Sequence, residues 1–271
     1  MLISLFTQSL FAFDLKRAIE VTGEVGFDGI EIACQKPHLT LSQAQSERRI
    51  IMLSIKTAGL AVSALSTYTN FTELEAAKRS RKDLMSFIKF ASEFETDTIK
   101  FTPGPPSSAN ASRKDWETFE RELEPCVKLA ESQNVKLAVE THLNMLTDTT
   151  LNAVRLVDMF DSPALGVNLD FCNVFLGGDA PSESILQLKD KIYFTHVKDV
   201  DTDVSNRYWT PLGQGKLNYP EIIKTLSEID YNGYLSIECL YDEIREKPSE
   251  VVENDFKYLA RLLDADAATN C

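Results

Sequence analysis

Residues 135–170 read VKLAVETHLNMLTDTTLNAVRLVDMFDSPALGVNLD. An apolar run from Val135 to Thr141 gives way to a helix-period stretch from Thr149 to Phe160, and a second apolar run, Gly166 to Asp170, follows. Strand, helix, strand at this spacing is a βαβ unit, in which the crossing helix makes the two strands parallel. The same unit recurs outward in both directions. Toward the N-terminus, strands at Met1–Phe6, Gly29–Ala33, Leu60–Ser66 and Thr98–Thr102 alternate with helices at Asp14–Val25, Ser42–Thr57, Glu73–Phe94 and Arg113–Ser132. Toward the C-terminus come a helix near Ser182–Leu188, a strand at Ile192–Lys198, a helix near Tyr219–Ile229, a strand at Tyr234–Cys239 and a last helix near Ser249–Leu263.

The punctuation agrees with this reading. Asp14 can cap the first helix, Gly26 and Gly59 stop the first and second, and Pro103-Gly104-Pro105-Pro106 closes the fourth strand. Eight strands in strict alternation with helices predict a closed (β/α)8 barrel, one domain over residues 1–271, with its active site at the carboxyl ends of the strands. The alternative is an open doubly wound sheet. A dinucleotide-binding sheet of that kind needs a G-x-G-x-x-G turn after its first strand, and none is present.

The composition is that of a water-soluble globular chain, 44% hydrophobic and 25% charged. A formal charge of -13 argues against tracking a phosphate backbone or an anionic membrane, both of which need surplus Lys and Arg. Five scattered cysteines with no C-x-x-C pair form neither a disulfide framework nor a zinc ribbon, which fits a reducing cytoplasm. The opening MLISLFTQSLFAFD lacks a basic n-region and is interrupted by Thr7, Gln8 and Ser9, so it reads as a buried strand and not as a signal peptide. No apolar stretch approaches the ~20 residues of a membrane helix. The expected partner is a small molecule, with no nucleic acid and no membrane; a homo-oligomer is left open.

Four strand ends carry a polar residue out of place in an apolar run: Glu140 in LAVETH, Asp170 in GVNLD, His196 in YFTHVKD and Glu238 in LSIEC. The period-two alternation puts each on the face opposite its strand's apolar residues, Glu140 and His142 against Leu137 and Val139, for example. Alone, each reads as a solvated loop acid or a satisfied core histidine. Together, on four successive strands, they would converge at the barrel mouth. Three carboxylates and an imidazole in one pocket repel unless a cation binds, and three oxygens with one nitrogen suit one divalent ion, Mn²⁺ foremost, with Mg²⁺, Co²⁺ or Zn²⁺ as alternatives.

GFDGIEIA (26–33), ETH (140–142), NLDFCN (168–173), HVKD (196–199), PLGQGKLNY (211–219) and YNGYLSIE (231–238) resemble the xylose isomerase-like TIM-barrel superfamily, and within it the sugar phosphate isomerase/epimerase family. The resemblance runs from Met1 to the closing YLARLL. It implies that Glu140, Asp170, His196 and Glu238 are the metal ligands. It also implies that Glu140 and Glu238 are catalytic, moving a proton beside a carbonyl of a carbohydrate through a metal-bound enediolate. The expected function is therefore a metal-dependent sugar isomerase or epimerase. The run ETHLNMLTDT with NLDF also looks like the 3-dehydroshikimate and inosose dehydratases of this superfamily, which makes a lyase the alternative. Ketose 3-epimerases place a second Glu soon after the first, and here no acid lies between Glu140 and Asp148. The DNA-repair endonuclease of the same barrel uses many more histidines than the three present. A non-catalytic sugar-binding module is disfavoured because all four ligand positions are intact.

Around this set, His142 shares Glu140's face and is placed to bind substrate or orient a ligand, and Lys198 points as His196 does, toward a substrate oxygen. Asn173 stands where many family members carry His and could hydrogen-bond a substrate hydroxyl. Arg207 and Trp209 lie in a long loop after the seventh strand, where Arg207 could bind a phosphate. Glu31 and Lys100 face the interior from the second and fourth strands and are expected to pair with each other. His38 is given no role.

Overall fold

The eight strands close on themselves. In the computed structural model, which describes residues 1–203 and 206–269 with the backbone alone at 202, 203, 206, 207 and 269, the barrel consists of β1 (Leu2–Phe6), β2 (Gly29–Ala33), β3 (Ala61–Ser66), β4 (Thr98–Phe101), β5 (Lys136–Glu140), β6 (Leu165–Asp170), β7 (Ile192–Val197) and β10 (Tyr234–Ile237). The order around the barrel is β1-β10-β7-β6-β5-β4-β3-β2, with every neighbouring pair parallel. This is the (β/α)8 barrel that the alternation predicts.

The alternation also sets the packing. Outward residues such as Ile30, Ile32, Leu137, Val139, Val167, Leu169, Leu235 and Ile237 join one continuous core beneath the helices. Inward residues include small and polar side chains, and Ala64, Ala138 and Phe194 form a separate apolar cluster inside the barrel. Helix α1 (Leu15–Val25) begins at Asp14, whose side chain accepts from the Arg17 N–H at 2.8 Å, and ends at Gly26 in the left-handed region, φ 98°.

The helices depart from expectation in three places. The single helix expected over Ser42–Thr57 is two, α2 (Leu41–Ser46) and α3 (Arg48–Thr57), broken at Glu47 where φ is -117°. Thr40 and Gln43 form a reciprocal capping box that starts α2 one residue early. The stretch from Glu73 divides into α4 (Leu74–Phe90) and a tighter turn, Ala91–Phe94, which stops at Glu95 with φ 53°. After α5 (Arg113–Gln133) and α6 (Thr150–Asp158), a short helix not expected from periodicity, α7 (Phe171–Leu176), leaves β6 directly. It is a turn and a half long, too short to show a period. Helices α8 (Pro181–Leu188), α9 (Tyr219–Glu228) and α10 (Pro248–Thr269) complete the ring.

The expected loop after β7 contains an antiparallel hairpin, β8 (Asp199–Asp203) and β9 (Asn206–Thr210), standing outside the barrel. Its base is tied down by Asp199, whose carboxylate accepts backbone N–H groups of Gly213, Gly215 and Leu217 at 3.0, 3.0 and 3.3 Å. No helix among the described residues is long and apolar enough to cross a membrane.

Candidate active site

Glu140 ends β5, Asp170 ends β6, His196 lies near the end of β7, and Glu238 follows β10. Strand register brings them level, with Asp170 opposite His196 and His196 opposite Ser236. All four are buried, and each offers one ligand atom within 4.8 Å of the others. Convergence of these four at the carboxyl end of the barrel is therefore a feature of the fold.

The orientation of His196 is fixed by a residue on the far side of the mouth. Its Nε2 lies 2.9 and 3.0 Å from the two oxygens of Glu31, which only accept, so Nε2 carries the hydrogen. Nδ1 is left facing Glu140 Oε1 at 3.3 Å, Asp170 Oδ2 at 3.8 Å and Glu238 Oε2 at 3.9 Å. That nitrogen is buried with no hydrogen-bond partner. Glu31 also accepts from the hydroxyls of Ser66 and Ser236, and Phe6 stacks on the His196 ring at 5.1 Å. The expected Glu31–Lys100 pair is not formed. Lys100 instead donates to Glu140 Oε2 at 2.8 Å, because strand β4 lies beside β5 and its ammonium reaches the nearer acid.

Lys198, expected to face a substrate oxygen, is instead taken up by two of the acids: its Nζ lies 2.7 Å from Asp170 Oδ2 and 2.5 Å from Glu238 Oε2. Four buried carboxylates, counting Glu31, thus meet two buried ammonium groups. With a neutral imidazole the centre carries two excess negative charges, and the unpartnered Nδ1 of His196 opens onto the same cluster. A dication fits both the charge and the donor set. The lysines, which an argument from three acids and one imidazole leaves out, reduce the repulsion without removing it.

The titrations follow from these neighbours. Burial pushes Glu140 and Glu238 up, but Lys100 and His196 hold Glu140 well below the carboxylate range, and Lys198 and His196 hold Glu238 below it. Burial raises Asp170 despite Lys198. Burial lowers His196, yet Glu31 and Glu140 bring it up to about 10, so a cation taking Nδ1 displaces a proton.

Asn173, on α7, is buried, and its amide donates to Asp170 Oδ2 at 2.9 Å and to the Thr141 carbonyl at 3.0 Å, while its N–H donates to Asp170 Oδ1. Its donors thus serve Asp170, itself the N-cap of α7, and the Thr141 carbonyl. His142 lines a cavity of about 500 Å³ that opens onto Glu140 and Glu238. Its Nδ1 lies 2.7 Å from the Leu143 carbonyl, which can only accept, so Nδ1 carries a hydrogen, and Nε2 has no partner among the described residues. The Arg207 backbone lies in β9, and its side chain is outside the described residues. Trp209 places its ring 5.4 Å from Lys198 Nζ.

Two members of the site have no counterpart in the sequence reading. Gln8 Nε2 donates to Glu238 Oε1 at 3.0 Å, and its Oε1 accepts from the Tyr68 hydroxyl at 2.5 Å. The signal for Gln8 is the polar triplet Thr7-Gln8-Ser9 that interrupts the first apolar run. Thr7 and Ser9 hold the Ala33 and Cys239 N–H groups, each at 2.9 Å, and Gln8 reaches the site. Tyr68 follows β3 and carries no periodic signal.

A family model described as the xylose isomerase-like TIM barrel matches residues 19–262. The chain belongs to that family. Among relatives, a 3-dehydroshikimate dehydratase of Bacillus anthracis is 26% identical over 230 residues, covering 79% of this chain and 81% of the relative. An inosose dehydratase of Clostridium tetani (strain Massachusetts / E88) is 22% identical over 255 residues, covering 86% and 85%. A crystal structure of the IolI protein with a binding zinc atom superposes with a TM-score of 0.84 at 18% identity, covering 98% and 99%. The family is one of enzymes on this barrel.

Proposed function

We propose that this protein is a divalent-metal-dependent dehydratase that removes a proton beside a carbonyl of a small polyhydroxylated carbonyl compound and then expels a hydroxyl group as water. The observation that carries this reading is the unequal commitment of the polar groups. Glu140 and Glu238 are each held anionic by a buried lysine. His142 lines the cavity, and its Nε2 has no hydrogen-bond partner among the described residues. Proton transfer on two faces of one carbon needs two groups that exchange protons readily. Elimination can use a single group that takes the proton and returns it to the leaving oxygen. The names of the two relatives, a 3-dehydroshikimate and an inosose dehydratase, support the same choice.

In this scheme His142 Nε2 takes the proton, and the C–H electron pair moves toward the carbonyl to give an enolate. Collapse of the enolate breaks the C–O bond one carbon further on, and the protonated His142 returns its proton to the departing oxygen, which leaves as water. A divalent ion held by Glu140, Asp170, His196 and Glu238 supplies Lewis-acid stabilisation of the oxygen charge. Manganese, with zinc as in the IolI protein, heads the ions to test. Lys198 and Gln8 fix Glu238, and Lys100 fixes Glu140, so the ligands keep their positions as charge develops.

A second reading, epimerisation or isomerisation, rests on one observation: Glu140 and Glu238 approach the site from strands on different sides of the mouth. The two readings separate in D₂O. Cyclic keto-polyols and ketoses, free and phosphorylated, are incubated with the Mn²⁺-loaded protein. Growth of the ultraviolet band of a conjugated enone supports dehydration; deuterium in recovered sugar without that band supports epimerisation. Absence of both across the panel, in protein shown to hold its metal, sinks the proposal. His142→Gln should lower elimination about 10²- to 10⁴-fold while Mn²⁺ binding persists.

A further inference from the structure

Glu238 stands one residue past the end of β10. Its N–H donates to the Val197 carbonyl at 2.9 Å, and the next N–H, of Cys239, donates to Ser9 Oγ at 2.9 Å. These bonds hold the backbone and leave the carboxylate to turn about its own side-chain bonds. Two groups restrain that turn. Lys198 Nζ lies 2.5 Å from Oε2, and Gln8 Nε2 donates to Oε1 at 3.0 Å. An ammonium is a point charge on a flexible stem and follows an oxygen as it moves. An amide has a plane, and it fixes its partner only if it is itself fixed.

Gln8 meets that condition. It lies in the tight turn Thr7–Leu10 after β1, whose Thr7 and Ser9 hydroxyls tie the turn to Ala33 and Cys239. A carboxylate only accepts, so Nε2 must face Glu238 and Oε1 must face away. Oε1 accepts from the Tyr68 hydroxyl at 2.5 Å. The hydrogen bonds therefore run one way, from Tyr68 through Gln8 to Glu238, and a flipped amide would set two oxygens against each other. Tyr68 is tied down in turn. Gln35 supports its hydroxyl, and Lys100 Nζ, which donates to Glu140, lies 5.1 Å from the centre of its ring. Gln8, Tyr68, Glu140 and Glu238 all line the one cavity.

We infer that Gln8 is a positioning residue of the metal centre: its amide, locked by the Tyr68 hydroxyl, sets the plane in which the Glu238 carboxylate meets a divalent ion. This rests on the reading of Glu140, Asp170, His196 and Glu238 as the ligand set. It gives β1 and β3, which supply no member of that set, a part in holding it.

The test reads the ion and not turnover. Gln8→Met keeps the length of the side chain and removes its amide, and Tyr68→Phe keeps the ring beside Lys100 and removes only the hydroxyl. Gln8→Met should weaken Mn²⁺ binding about tenfold by calorimetry, and Tyr68→Phe about threefold. Because the two act in series, the double variant should bind no more weakly than Gln8→Met, whereas independent contacts would multiply to about thirtyfold. The visible absorption of the Co²⁺-loaded protein, which responds to the arrangement of the ligands, should shift in all three variants. Should Gln8→Met fail to fold in thermal melts, Tyr68→Phe decides alone, on its affinity and its Co²⁺ band. Wild-type affinity in the deciding variant, losses that multiply in the double variant, or weaker binding with an unshifted band overturns the inference and leaves the metal centre standing. Wild-type protein that takes up neither ion sinks the metal centre and the inference together. Elimination enters neither readout, so its absence defeats the proposed reaction alone.

Discussion

Glu31 and His196, 165 positions apart in the chain, share a buried hydrogen bond of 2.9 Å that determines which nitrogen of the imidazole faces the acid cluster. Glu31 is the outer partner that holds the His196 ring, and it also accepts from the hydroxyls of Ser66 and Ser236. Glu31→Gln keeps the shape and removes the charge. The expected outcome is a roughly 10- to 100-fold loss of Mn²⁺ affinity by calorimetry, with the far-ultraviolet circular dichroism unchanged. Unaltered affinity would show that the ring needs no such partner.

Lys100 and Glu140 form a buried pair, with side-chain exposures of 2% and 5%. Removing only the acid's partner strands a charge, so Lys100→Met should destabilise the protein by about 3–5 kcal/mol in urea denaturation. The double variant Lys100→Met/Glu140→Gln should recover much of that loss, since neither charge remains. Additive losses in the double variant would mean that the pair is not coupled.

Asp255 lies beneath the hairpin loop, where its carboxylate takes the Leu212 N–H at 3.0 Å and lies 3.2 Å from the Cys239 thiol. Burial pushes it up to about 6 from 3.8. A carboxyl with a raised folded value is fully tolerated below its unfolded pKa, and its ionisation penalty grows as pH rises from about 4 to about 6 and is constant above. Two units correspond to about 3 kcal/mol. Asp255→Asn, which keeps an acceptor for Leu212, should therefore gain stability relative to wild type between pH 4 and pH 7. Melting temperatures across that window check it, and parallel curves for the two proteins would refute it.

The Asp199 carboxylate organises the segment 211–217, and Gly215 approaches it so closely that a Cβ would overlap the carboxylate. Gly215→Ala and Asp199→Ala should both loosen this loop, with trypsin cleavage after Lys216 accelerated about tenfold or more. Cleavage at the wild-type rate would place the anchor elsewhere.

The Glu31 variant also marks the boundary of what sequence reading reaches. The four strand-end residues were legible because a polar side chain at the close of an apolar run is a local signal. The position of Glu31 on an inward face was legible too. Its partner was not: the alternation that turns Glu31 and Lys100 inward says nothing about which interior neighbour each side chain meets. Lys100 reaches Glu140 on the adjacent strand, and Glu31 reaches across the mouth to His196. Gln8 was visible only as a break in an apolar run, and α7 was too short to show a period.

The order of strands and helices, the eightfold closure and the faces of the strands came from the sequence itself, because helix and strand periods are properties of neighbouring residues. The pairing of charges came only from the folded barrel. Glu238 meets Gln8 across 230 positions and Lys198 across 40. Such partners are chosen by the strand register and the reach of each side chain, and neither is written in the spacing of residues along the chain.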